Sequence, residues 1–379
     1  MWRIFICVIS VLFVPLANAE VAALKPDSGH INLFPVELNH PAKRKPTVQW
    51  KFSHPAPPNS QVPPILQSGF DWLQAETAGE LYIKMYGGGT LYGVRGGFKA
   101  VRAGIADYGT CYTAIEPKGF ELTHTTRAPY LLPDSPYLSA LILRRLSTDY
   151  LKDEFERRGV YMGYSALMRP LSILSKDPIR TPKDLQGKKI GSYLGAFNAD
   201  KALSFTEVRV PFPDLYTALQ QGVIDAVLWI DFGMVPYKLY EQAKHFTDIS
   251  VSHISFDTCI NKRSFDSLAD TQKQKLYELQ QRLPLAITHE MYEYSKIARQ
   301  QLQANGVTVH KLTPEDKKQW RDAFKPVTDN WLETCDSTNK GCRKLVAEVK
   351  RLIGEYGHLS DKQLVDLLLK EQIKGVIDF

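Results

Sequence analysis

The first residues tested for chemistry are His289-Glu290-Met291-Tyr292-Glu293, which begin as a zinc-protease helix begins. The second histidine is missing, so this helix cannot present the two imidazoles that the metal needs. No Gly-x-Ser-x-Gly elbow occurs, which removes the serine nucleophile of that motif. The glycine-rich stretch YGGGTLYGVRGG lacks the Gly-Lys-Ser/Thr ending of a phosphate loop and the spacing of a dinucleotide loop. Its glycines are expected to shape a turn before a helix that stops at Gly104. No catalytic residue, cofactor site or metal site is nominated, and the chain is expected to bind rather than convert. Cys335 and Cys342 bracket the polar loop CDSTNKGC with no histidine close by, a pattern that favours a disulfide over zinc in an oxidising compartment. Cys111 and Cys259 are left either paired or free.

Those residues must be carried by ordinary globular elements. MWRIFICVISVLFVPLANAE combines an early cation, Arg3, with an apolar run and a small-x-small site, so a secretory signal peptide cut after Ala19 is expected, and with it a soluble exported protein. No second apolar run is long enough to span a bilayer. The formal charge of +6 is spread along the chain apart from groups such as Lys43-Arg44-Lys45, which disfavours nucleic acid and fits weak steering of anions. Length predicts two lobes. Residues 20–45 look like a surface extension; TVQWKFS then alternates as a strand and HPAPPNSQ follows as a loop.

An internal echo links AVRAGIAD at 100–107 with ALQQGVID at 218–225. In each, a helix stops at a glycine and a strand begins with an aspartate three positions later, which implies the same helix-to-strand turn in two separate lobes. TPKDLQGKKI offers Thr181 as a cap, Pro182 at the first turn and Gly187 as the stop, and FPDLYTALQQG offers Asp214 as a cap. Residues 266–305 read as a long helix with a kink or break at Pro284, Thr313-Pro314 opens another, and the rest is helical and amphipathic.

The order GGGTLYGVRGGFKAVRAGIADYG, DPIRTPKDLQGKKI, VPFPDLYTALQQGVIDAVLWI resembles the solute-binding proteins of TRAP (tripartite ATP-independent periplasmic) transporters, the DctP type, over residues 46–330. The resemblance implies an α/β, two-lobe, periplasmic-binding-protein-like fold with a cleft between lobes and a long helix after the second lobe. It implies lobe I at 46–147 completed by 233–262, lobe II at 148–232 completed by 263–330, and a C-terminal helical region with the cysteine loop at 331–379. It also implies a small organic acid as ligand, delivery to an integral-membrane TRAP permease, and no membrane span, nucleic acid or cofactor.

Such proteins typically clamp the ligand carboxylate with an arginine in the strand after the lysine-rich turn, and Gly191 stands there. Glycine gives no bidentate grip. Arg169, in MRPLSIL, is the preferred replacement; Arg209 is the weaker one. Leu228 stands where relatives that hold a cation beside the ligand have an acid, so no metal is expected. Trp229 is a candidate wall for an apolar or planar ligand, Asp231 a candidate acceptor, and Asp257 a weaker one. Tyr112, Tyr193, Asn198 and His54, all in loops after expected strands, complete the candidate ligand set. The first expectation is a monocarboxylate with an apolar part; an uncharged or zwitterionic solute, or a periplasmic sensor or scaffold without transport, are the alternatives.

Overall fold

The computed structural model describes residues 33–34, 46–56, 60–116, 118–192, 197–338 and 341–370. The expected signal peptide, nearly all of the extension, and Tyr193 lie outside the described residues. Two sheets form. The first has the order β2-β1-β3-β10-β4, from β1 (Val48–Ser53), β2 (Leu81–Tyr86), β3 (Tyr108–Thr110), β4 (Val160–Pro170) and β10 (His253–Asn261). The second has the order β11-β9-β5-β8-β6-β7, from β5 (Ser172–Ser175), β6 (Lys189–Gly191), β7 (Thr206–Val208), β8 (Ala226–Trp229), β9 (His245–Thr247) and β11 (Thr308–His310). In β1 the alternation buries Trp50 and Phe52 beneath the helix Val62–Glu76, with Phe70 against Phe52 at 4.9 Å.

The echoed octapeptides fold as one device used twice. Gly104 and Gly222 take left-handed φ of 76° and 72° after the helices Gly97–Arg102 and Leu215–Gln220. Asp107 Oδ2 then accepts from Lys51 N at 2.8 Å, and Asp225 Oδ2 accepts from Lys189 N at 2.8 Å. Each aspartate thus ties its turn to the backbone of the neighbouring parallel strand, at Lys51 within β1 in one sheet and at Lys189, the first residue of β6, in the other. Registering these strands fixes where their carboxyl ends open, the place where α/β proteins bind ligands.

The chain changes sheet at β4–β5 and returns between β9 and β10. Leu171 N donates to Ser252 O at 2.8 Å and Val251 N to Leu171 O at 3.2 Å, so the two crossings are hydrogen-bonded to each other. The strand β4, expected in the second lobe, belongs to the first sheet because it pairs with β10 from Val160 to Pro170. The helix Asp270–Ala304 also crosses: Leu276, Leu279 and Leu283 join the Trp50–Phe52 core, and Leu302 joins the core around Trp229 and Phe246. It runs through Pro284 without the expected break, held by buried Leu283, Leu285, Ala286 and Ile287 on either side.

The helix Pro314–Ser337 starts on the second sheet, where Trp320 Nε1 donates to Arg180 O at 2.9 Å, and reaches the first-lobe helix Glu121–Thr126, where Trp331 Nε1 donates to Thr125 Oγ1 at 2.9 Å. The Cys335–Cys342 disulfide, Cα to Cα 6.0 Å, then turns the chain into the helices Cys342–Tyr356 and Asp361–Lys370. Leu345, Val349, Leu352, Leu364 and Leu368 bury in the first-lobe core.

Candidate functional site

The exits of β1, β3 and β8 carry most of the candidate residues. His54 follows β1, the strand between β2 and β3, and its backbone is pinned by His54 N donating to Tyr86 O at 3.1 Å and Gly89 N donating to His54 O at 3.2 Å. The imidazole is fully buried, yet neither ring nitrogen has a hydrogen-bond partner among the described residues. Burial pushes its pKa down to about 4, so near neutral pH the ring is uncharged, one nitrogen a donor and the other an acceptor. A buried imidazole with both functions unmet could take a partner that supplies them.

Tyr112 leaves β3 and packs edge-on to Phe256 at 5.7 Å. It shares a cluster with Phe232, Ile230 and Val235, which follow β8, so here the exits of the two sheets meet. Burial pushes the Tyr112 phenol well above its ordinary range, helped by nearby Tyr92, Asp257 and Tyr237. Cys111, just before it, is joined to Cys259 in β10, which settles the pairing left open by the sequence. Asp257, also in β10, accepts from Thr113 N at 3.3 Å, from Thr113 Oγ1, and from Ser165 Oγ at 2.6 Å. It holds the β3 exit loop rather than offering itself to solvent.

Arg169 and Asp231 come together, but in an ionic cluster at the sheet crossings. Arg169 Nη2 lies 3.5 Å from Asp248 Oδ2, its Nε 3.9 Å from Asp231 Oδ2, and its guanidinium 4.9 Å from the Tyr292 ring. Asp231 is wholly buried and accepts from Arg299 Nε at 2.7 Å, Phe232 N at 2.8 Å and Ser295 Oγ. Arg299 Nη1 reaches Asp248 Oδ2 at 2.6 Å. Burial alone would raise the Asp248 pKa, but Arg299 and Arg169 outweigh it and hold the carboxyl below its usual range. Two cations face two carboxylates here, so the charges are matched, although Arg169 Nε and Arg299 Nη2 have no hydrogen-bond partner among the described residues.

Trp229 lies in the second-sheet core, stacked on Phe212 at 5.3 Å and edge-on to Tyr237 at 5.4 Å. Asn198, at a left-handed φ of 50°, is exposed on the groove between the helices Ala199–Leu203 and Pro314–Ser337. Arg209 is also exposed. A Cβ at Gly191 would lie 3.1 Å from Ile224 Cδ1 and 3.4 Å from Leu215 Cδ2, so those side chains would have to give by a few tenths of an ångström to admit one. A side chain at that position would enter apolar packing.

Sequence reasoning missed Arg127, Arg299 and Asp248. Arg299 and Asp248 gave no local signal. Arg127 gave one: it is the lone charge in LTHTTRAPYLLP, between Glu121 and Asp134. Among the described residues no group of three or more His, Cys, Asp or Glu suits a metal, and no helix is long and apolar enough to cross a membrane.

Comparison with known proteins places this geometry. Residues 52–334 match the bacterial extracellular solute-binding protein family 7, DctP. The chain is 23% identical over 301 residues to the C4-dicarboxylate-binding periplasmic protein DctP of Rhodobacter capsulatus, covering 78% of this chain and 90% of that one. A solved structure of DctP7, a Bordetella pertussis extracytoplasmic solute receptor binding pyroglutamic acid, superposes with a TM-score of 0.71 at 19% identity over 80% of this chain and 99% of the other. A TRAP solute-binding protein of Rhodoferax ferrireducens in complex with copurified benzoate gives 0.73 at 19% identity, over 82% and 98%. These two likenesses support the two-lobe fold, and the family match fixes the class as receptor rather than enzyme. The chain belongs to family 7 of the bacterial extracellular solute-binding proteins, the DctP-type receptors of TRAP transporters.

Proposed function

We propose that this receptor captures a small monocarboxylate with an apolar part between its lobes and delivers it to a TRAP-type permease in the membrane. The observation that carries the reading is His54, a buried, uncharged imidazole at a strand exit with both nitrogens unmet. Its N–H suits one ligand oxygen, and Tyr112 beside Phe256 offers an aromatic surface to the apolar part. Relatives of the fold binding pyroglutamic acid and benzoate support the ligand class. Contacts to both lobes shift the population toward the closed form, the one that docks on the permease. Export with cleavage after Ala19 belongs to the same proposal.

The test is thermal unfolding of the mature protein with pyroglutamate, benzoate and matched neutral or zwitterionic solutes. A ligand at about 100 times its Kd adds roughly 2.7 kcal/mol. Stabilisation by the acids alone supports the reading. Stabilisation by the neutral or zwitterionic solutes alone overturns it in favour of a second reading, which the uncharged state of His54 also suits.

A further inference from the structure

Arg127 is 3% exposed and follows the helix Glu121–Thr126. Neither its Nε nor its Nη2 has a hydrogen-bond partner among the described residues. These two nitrogens form one edge of the guanidinium, with parallel N–H bonds spaced for the two oxygens of a carboxylate. A buried cation left in this state is costly, and folded proteins keep such arrangements chiefly where another group completes them.

Its position is the seam between lobes. Upstream, Phe120 packs in the first-lobe core; immediately downstream, Ala128 packs with Leu171, Ile173 and Val251 in the second. Ser252 Oγ, on the returning crossing, donates to Arg127 O at 2.6 Å. The neighbouring charges do not use up the cation. Asp257 is close enough to favour the charged form but is committed to Thr113 and Ser165, and burial lowers Arg127 only to about 10, so it stays protonated near neutral pH. His124, whose Nε2 lies 2.9 Å from Thr113 O, is held neutral by burial and by Arg127 itself, with its pKa pushed down to about 3. Ser255 Oγ, on the same face of β10 as Asp257, is also buried without a partner.

We propose that Arg127 is the carboxylate receptor of this protein, gripping the ligand through its Nε–Nη2 edge at the lobe seam and filling the role for which Gly191 offers no side chain. The proposal rests on the monocarboxylate reading and decides which cation performs it.

The experiment compares wild-type mature protein with Arg127→Met, Arg127→Lys and Arg169→Met, by thermal unfolding and by titration with benzoate and pyroglutamate. Arg127→Met is expected to raise the melting midpoint of the ligand-free protein, because an unmatched buried charge is gone, and to weaken the acids at least about 100-fold. Arg127→Lys keeps the charge and loses the two-pronged geometry, so a loss of about tenfold or more is expected. Arg169→Met, which breaks a matched cluster, is expected to lower the ligand-free midpoint. A purely structural Arg127 predicts the opposite: a lower midpoint for Arg127→Met with acid affinity within about threefold of wild type, and that result overturns the proposal. Crystals soaked in bromide provide a ligand-independent arm. An anomalous peak at the Nε–Nη2 edge in wild type, absent in Arg127→Met, supports an anion receptor even if neither acid binds, in which case the monocarboxylate reading alone fails. No peak in wild type, with a lowered Arg127→Met midpoint, overturns the receptor itself.

Discussion

Arg127 and Arg169 both lie where the chain passes between lobes, and both are largely withdrawn from water, but their electrostatic surroundings are opposite. Around Arg169 the charges close on themselves: Asp231 and Asp248 face Arg169 and Arg299, serines cap the remaining oxygens, and Tyr292 covers the guanidinium. Around Arg127 no carboxylate comes within ion-pair distance among the described residues, and both nitrogens of one guanidinium edge stay unmet, where Arg169 leaves Nε alone unmet beside two carboxylates. A network of matched charges holds elements together and has no net charge left to offer an anion. An open one costs stability and keeps its chemistry available, a compromise proteins make at functional sites. The type of residue is the same, so its function is decided by what already surrounds it.

The largest test of that contrast removes an acid from the closed cluster. Asp231→Asn leaves Arg299 and Arg169 with one carboxylate between them, and unfolding in urea should show a loss of about 3–5 kcal/mol. A loss under about 1 kcal/mol would mean the cluster is solvated in practice, and the contrast with Arg127 would collapse.

Next comes the bridge beside the open site. Cys111–Cys259 closes a separation of 148 residues and Cys335–Cys342 one of 7. In the chain-entropy model the first contributes more than about 4 kcal/mol and the second about 2 kcal/mol. Replacing Cys111 and Cys259 by alanine should therefore lower stability more than replacing the other pair. Because Cys111 precedes the loop that Asp257 holds, it should also reduce the shift produced by benzoate, while the cost of Asp231→Asn stays additive. Coupling between the bridge and Asp231 would show that the two regions are one.

Much of the scaffold could be read from local rules. The echo of AVRAGIAD and ALQQGVID was visible because a left-handed glycine and a following aspartate do the same backbone work twice, and both sets of bonds formed. The Cys335–Cys342 pairing followed from loop length and composition. The placement of β4 could not be read this way, because Val160–Pro170 is an apolar strand equally fit for either sheet until β10 arrives from about ninety positions later to pair with it. The site was harder for the same reason. His54 stood out as a polar residue after a strand, whereas Arg169 looked available because its partners, Asp231, Asp248 and Arg299, are remote in sequence. Gly191 looked like a missing cation, and only the structure shows that its surroundings are the apolar side chains of Ile224, Leu215 and Val227.

Acid sharpens the comparison by a smaller amount. His54 is pushed down to about 4 and His124 and His253 to about 3, in each case chiefly by burial, with Arg127 adding to the effect on His124 and Arg169 to that on His253. Unfolded histidine has a pKa near 6.5, so below that value the unfolded chain binds protons that the fold refuses. Stability is full above pH about 6.5 and falls toward each folded pKa by about 1.4 kcal/mol per pH unit per histidine. His54→Gln should remove one such contribution between pH 6.5 and 4. Arg127→Met should ease the pressure on His124 and shorten the acid limb, whereas Arg169→Met should ease it on His253. An acid limb unchanged in all three variants would show that these rings are not dry.

The smallest expected effect is at Arg209, the other cation once weighed for ligand binding. Its side chain is 59% exposed and sits 4.0 Å from Glu207, a geometry in which solvent screens the pair and side-chain entropy opposes it. Arg209→Ala should change stability by no more than about 0.5 kcal/mol and leave benzoate and pyroglutamate affinities unaltered. This variant matters because the proposed closure would bring second-lobe residues toward the ligand. If Arg209→Ala abolishes acid binding while Arg127→Met does not, the grip comes from an exposed arginine that is desolvated only on closure. The contrast that counts would then be between a cation buried in advance and one buried by the ligand, with the second preferred.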